Sequence, residues 1–213
     1  MVEVTPIVPG PPSPEREQLV SRARLLAWIG LGWHIVEGAV AIGAGVVAGS
    51  VALVGFGADS AIEAAASVVV IWLMASGRAS SERAERRAQQ LIAASFGLLA
   101  AYIGVEALRD LVGGHHPAVS WVGVGLSVVT LLTMPPLAIA KRRVGEALGS
   151  SATASESRQS MLCAYLSAGL LIGLLANAIA GWWWADPVVA LGIGAVAARE
   201  AREAWHGETC DCC

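Results

Sequence analysis

The sequence is poor in charge. Asp, Glu, Lys and Arg make up 15% of its 213 residues, where a soluble domain carries about 25%. That scarcity speaks against a free-standing soluble globule. The net charge of −3 gives no basic surface of the kind nucleic-acid binding needs. The first residues, MVEVTPIVPGPPSPEREQLV, lack a basic start followed by a short apolar core, so they do not read as a signal peptide. No stretch between apolar runs is long enough to form a soluble domain.

Apolar runs fill the rest. Hydrophobic residues reach 55%, and there are 24 glycines, a composition that suits helices packed closely in lipid. A helix needs about 20 mostly apolar residues to cross a bilayer. Six such spans are expected, over 25–47, 51–76, 89–112, 119–140, 158–180 and 184–203. The fold class is therefore all-α, a polytopic membrane protein with six transmembrane helices. Residues 1–24 read as a flexible cytoplasmic tail rich in Pro, Gly and Glu, residues 25–204 as the transmembrane domain, and residues 205–213 as a Cys-rich cytoplasmic tail. Such a chain is an integral, multi-pass protein whose first partner is the lipid bilayer, in the cytoplasmic (plasma) membrane if its source is prokaryotic.

Basic residues give the direction. Arg16, Arg22 and Arg24 precede the first span; Arg78, Arg83, Arg86 and Arg87 separate the second from the third; Lys141, Arg142, Arg143 and Arg158 separate the fourth from the fifth; Arg199 and Arg202 close the sixth. These are all the basic residues except Arg109. The opposite linkers, AGS, GGHHPAVS and GWWWADP, contain none. The asymmetry places both termini in the cytoplasm. Trp182, Trp183 and Trp184 then mark the outer interface. Pro135 and Pro136 are expected to kink or open the fourth helix. Gly169 and Gly173, in GLLIG, read as a close helix contact.

One run stands apart. GFGADSAIEAAASVVVIWL, residues 55–73, is apolar nearly throughout yet contains Asp59 and Glu63. Four residues apart, they share one helix face. Each charge at the bilayer centre costs roughly 2.5–3.5 kcal/mol on insertion scales. Two adjacent carboxylates also repel, so either one holds a proton or a cation lies between them. No basic residue falls mid-span to neutralise them.

Other spans offer partners. GWHIVEG puts His34 and Glu37 one turn apart near the middle of the first span. In the fifth, Cys163, Ser167, Leu170, Leu174 and Asn177 follow a helical stripe. Each has an ordinary reading too. Cys163 alone is a small buried hydrophobe. Ser167 alone bonds back to its own helix. His34 can pack against Glu37, and Asn177 can join two helices. His115 and His116 read as outer-loop residues. A carboxylate pair with a thiol and an imidazole suits a borderline divalent metal such as zinc better than magnesium or calcium. The last residues, HGETCDCC, add Cys210, Cys212 and Cys213, a thiol cluster that a reducing compartment keeps available for metal capture.

Four stretches together resemble the cation diffusion facilitator (cation efflux) family. AGSVALVGFGADSAIE looks like its first outer turn and second helix, MPPLAIAKRR like the inner end of its fourth helix, MLCAYLSAG like its fifth, and WADPVVALGIGAVAAREA like its sixth. The resemblance covers roughly residues 25–205. It implies a six-helix secondary transporter, often dimeric and not an enzyme. Such a carrier exports zinc or a related divalent ion (cobalt, cadmium or manganese) against inward protons and holds no permanently bound cofactor. It also implies a tetrahedral site with two ligands from the second helix and two from the fifth, here Asp59 and Glu63 with Cys163 and Ser167. This chain departs in having Cys and Ser where the family commonly has His and Asp. His34, Glu37 and Asn177 are the auxiliary or proton-coupling candidates on our own reading. The chain resembles a variant without the family's cytoplasmic C-terminal domain, so a homodimer would rest on membrane helices. The loop VGEALGSSATASES, residues 144–157, lacks a His cluster. Two rivals from other classes remain. A membrane metal sensor or scaffold would bind without flux, and an enzyme using Cys163 would need His34 within about 3 Å as its base.

Overall fold

A computed structural model describes residues 14–75, 82–149 and 151–206. They form six α-helices: α1 (Pro14–Ala48), α2 (Val51–Ala75), α3 (Glu82–Gly113), α4 (Trp121–Leu148), α5 (Ser151–Ala180) and α6 (Ala185–His206). The proposed thiol cluster Cys210, Cys212 and Cys213 lies outside the described residues, as does the start of the N-terminal tail. Four helices are apolar and long enough by themselves to cross a membrane, over Pro14–Ala48, Val51–Val69, Trp121–Leu148 and Glu156–Ala180. α3 and α6 carry more charge along their length, including Glu106, Arg109 and Asp110 on one and Arg199, Glu200 and Arg202 on the other. They pack along each other.

The helices outrun the spans at the basic end. α1 begins at Pro14, and α4 continues to Leu148. Hydrocarbon length limits the apolar run and does not stop the helix, since Arg, Glu and Gln are good helix formers. The expected loop 144–157 is correspondingly a tight turn. Gly149 adopts φ 63° and closes α4 with its N–H on Gly145 and Glu146 carbonyls, the left-handed cap that favours glycine. α5 starts two residues later. α4 runs as one helix through Pro135 and Pro136.

α1, α2, α4 and α5 form a four-helix core, with the α3–α6 pair joined to it mainly through α2. Its outer face is lipid-like: Val46, Val47, Leu98, Val112, Leu132, Ile172 and Ile179 are exposed. The interior mixes large apolar side chains such as Leu53, Phe56, Ile103 and Leu170 with small and hydroxyl residues, Ala27, Ala41, Ala52, Ser60, Ser67, Ser127 and Thr130. In lipid, burying alkyl groups gains little, so small residues that let backbones approach dominate the contact. α1 and α2 bring their backbones close together. A Cβ on Gly57 would sit 2.7 Å from Ile42 Cγ1 and 2.8 Å from its backbone N. Gly57→Leu should therefore destabilise the protein by about 2 kcal/mol or more, read by thermal unfolding in detergent. Gly43, which faces open space, supplies the matched control: Gly43→Leu should leave the transition nearly unchanged. Equal transitions for the two variants would refute close α1–α2 contact.

The tryptophan end is tied together by polar contacts. Asp186, at the start of α6, accepts from Ser50 Oγ and, at 3.2 Å, from Ala52 N. It thus holds the start of α2 against α6. Asn177 donates to Pro117 O at 3.0 Å. Gly173 packs on Val189 of α6, within the chain, whereas Gly169 faces open space. His115 and His116 are exposed; His116 packs on Trp183 with ring centroids 4.9 Å apart.

Candidate metal centre

α1 turns His34 and Glu37 inward, because three residues bring a helix almost back to the same face. α2 turns Glu63 toward them, and α5 turns Cys163. All four are buried, with 0–4% exposure. One ligand atom from each lies within 4.8 Å of the other three.

Glu37 is the hub. Its Oε2 is 3.3 Å from His34 Nδ1, accepts from Ser60 Oγ at 2.9 Å, and accepts from Cys163 Sγ at 3.7 Å. Its Oε1 accepts from Thr130 Oγ1 of α4. Four helices thus converge on one carboxylate. His34 Nδ1 also lies 3.1 Å from Glu63 Oε2, an ion pair when the imidazole is protonated. Glu63 Oε2 is left buried without a hydrogen-bond partner among the described residues. A buried carboxylate oxygen in that state is costly unless something further satisfies it.

The spacing suits a small cation. Metal bonds of about 2.0–2.3 Å in a tetrahedron put ligand atoms about 3.3–3.8 Å apart. The His34–Glu37 and Cys163–Glu37 separations, 3.3 and 3.7 Å, fall in that range, the His34–Glu63 separation of 3.1 Å is just below it, and all four atoms lie within 4.8 Å of one another. Charge argues the same way. Glu37, Glu63 and Asp59 are buried together on α1 and α2, and Lys141 is the sole Lys or Arg buried among the described residues. Lys141 is engaged elsewhere, 2.8 Å from Glu156. His34 is the one basic side chain set against Glu37 and Glu63, and a single imidazole cannot offset three buried acids, so a proton or a metal must balance the rest.

The sequence-based candidates divide. His34, Glu37, Glu63 and Cys163 come together. Asp59 is buried at 5% exposure one turn further toward the tryptophan end and is not in the group. Ser167 donates to the Cys163 carbonyl at 2.7 Å, its own helix's backbone. Asn177 sits in the outer loop contact described above. Cys163 directs its thiol to Glu37, which is not the Cys–His bond a nucleophile needs. Two supporting residues escaped sequence reasoning. Ser60 lies one place from Asp59, and Thr130 is one of several hydroxyl residues, with Ser127 and Thr133, in an otherwise apolar span. Each had only its position to give it away.

Comparison with known proteins agrees with the architecture. Residues 28–204 match the cation efflux transmembrane domain. A protein of Synechocystis sp. described as an uncharacterized transporter is 27% identical over 180 residues, covering 81% of this chain. The chain spans 58% of that relative's length.

Proposed function

The chain belongs to the cation efflux family, and we propose that it carries a divalent transition-metal cation out of the cytoplasm in exchange for protons. Zinc is the leading cargo, with cobalt, cadmium and manganese next. The buried group of His34, Glu37, Glu63 and Cys163 supports this reading most directly. It offers one nitrogen, one sulfur and two carboxylates, a donor set matched to borderline metals. Ser60 and Thr130 orient Glu37, as outer hydrogen bonds commonly orient a metal ligand. Asp59, one turn toward the tryptophan end, serves as the next carboxylate on the way out.

The donors bind metal only when deprotonated, so metal and protons compete for them. Loading from the arginine-rich side expels protons; after the helices rock, protons from the other side expel the metal. That use makes buried acids tolerable in a membrane, because a proton or cation always accompanies them.

Flux into proteoliposomes under an imposed pH gradient tests the proposal, with Zn²⁺, Co²⁺, Cd²⁺ and Mn²⁺ compared. Gradient-driven flux lost in Glu63→Gln is the expected result. Metal binding without flux from correctly inserted protein would turn the reading to a sensor or scaffold. Absence of both would reject the site.

A further inference from the structure

Lys141 is the sole lysine in the sequence. Its neighbours Arg142 and Arg143 are exposed, and a lysine near a helix end ordinarily extends toward water. This one turns inward and is 0% exposed. Its Nζ donates to Glu156 Oε1 at 2.8 Å and to Ser160 Oγ at 3.2 Å. Ser67 Oγ donates to the same Glu156 oxygen at 2.8 Å. On the fourth side lies Gly30, where a Cβ would come within 2.7 Å of the ammonium. Glu156 Oε2 is buried with no hydrogen-bond partner among the described residues. Burying a lone ion pair costs more than an apolar contact of the same size, so packing alone gives no reason for it.

Its position supplies one. Gly30 precedes His34 by four residues, Ser67 follows Glu63 by four, and Ser160 precedes Cys163 by three. These spacings keep each residue on the same helix face as its partner in the metal centre. At a rise of about 1.5 Å per residue, they lie roughly 4–6 Å nearer the arginine-rich end. The same four helices line both levels. An ion travelling from that end along the bundle interior meets Lys141 and Glu156 before it meets Glu63.

We propose that the Lys141–Glu156 pair is the inner gate of the pathway, resting on the reading of the four-donor group as the cation site. The lysine ammonium is a tethered cation standing where the incoming metal must pass. While it is seated, its charge repels a divalent ion, and its bulk fills the space left by Gly30. When Lys141 swings out, Glu156 and the hydroxyls of Ser67 and Ser160 remain as an inlet site of oxygen donors. The gate then closes behind the metal by the return of the ammonium.

Cys163 reports on the gate directly. With Cys210, Cys212 and Cys213 replaced by serine, it is the one remaining thiol. A small cationic methanethiosulfonate, applied to reconstituted protein from either face, measures its accessibility without any metal. The single change Lys141→Met strands a buried carboxylate and risks misfolding, so the test uses Lys141→Met/Glu156→Gln. Removal of the gate should speed labelling from the arginine-rich face at least ~10-fold, leaving the rate from the tryptophan face unchanged. An unchanged rate from the arginine-rich face would overturn the proposal. So would equal acceleration from both faces, which signals general loosening. Labelling that responds as expected in a protein that binds no metal would keep the gate and discard the cargo.

Discussion

Glu37→Gln should lose metal binding while the metal-free protein stays folded. Glu37 receives bonds from Ser60, Thr130 and Cys163 and contacts His34. Loss of a mere outer partner of a metal ligand costs about 10–100-fold in affinity. A direct ligand at the hub should cost at least ~100-fold, or about 2.7 kcal/mol. Gln keeps the shape, and the Ser60 and Thr130 hydroxyls can rotate to bond an amide, so the fold should survive. The change also removes a buried charge, which is neutral or favourable without metal. Two measurements on one sample separate these effects: thermal unfolding without metal, and the upward shift that metal produces by binding the native state. The first should stay within a few degrees of wild type and the second should vanish. Asp59→Asn supplies the contrast, because Asp59 stands outside the four-donor group. It should retain affinity within ~10-fold, well short of a lost direct ligand. Loss in Asp59→Asn with retention in Glu37→Gln would return the site to α2 and α5 alone.

Four of the six helices were legible because apolar runs of bilayer length have few alternatives; the more charged α3 and α6 were legible from shorter apolar stretches between clear outer breaks. Their outer ends were legible as well, at AGS, GGHHPAVS and GWWWADP, where glycine, proline and tryptophan punctuate the chain. The inner ends were not. Arg-rich segments remain helical after they leave the hydrocarbon, and the Ser-rich stretch before Arg158 is the first two turns of α5. That difference hid Glu156, which reads as a loop residue in sequence and is a buried helix residue in the fold. Lys141 was hidden with it. Beside two arginines at a helix end it counts as an inside-marking charge, and only a buried carboxylate on another helix draws it inward. The metal centre divides in the same way. Each of His34, Glu37, Glu63 and Cys163 is conspicuous as a polar residue in an apolar span. Periodicity assigns a residue to a face of its own helix and carries no information about which faces meet. The convergence of α1 on Glu63 and Cys163, with Thr130 from α4 behind it, depends on packing at Gly38, Gly45 and Gly57, where α1 and α2 nearly touch.

Cys163→Ser should change which metals bind more than it changes the fold. The thiol is fully buried and donates to Glu37. A serine hydroxyl fits the same space and needs a small side-chain shift to bond Glu37, since O–H···O bonds are shorter than S–H···O contacts. Ligand softness is what differs. Thiolate favours zinc and cadmium, whereas oxygen donors suit manganese. Affinity for Cd²⁺ should fall ~100-fold in Cys163→Ser, while that for Mn²⁺ should move by less than ~5-fold. The wild-type protein, with its tail cysteines replaced by serine, should also show the ultraviolet thiolate-to-metal absorption on Cd²⁺ or Co²⁺ binding. Cys163→Ser in that background should not. Binding also sheds the thiol proton, so the Cd²⁺ affinity of the Cys163 form should rise more steeply with pH than that of the serine form. Equal Cd²⁺ affinities, or Cd²⁺ binding without thiolate absorption, would remove sulfur from the coordination sphere. The cation would then rest on His34, Glu37 and Glu63, an oxygen-rich set without the bias toward soft metals. The sulfur atom is the part of the site that decides between a zinc-like and a manganese-like cargo.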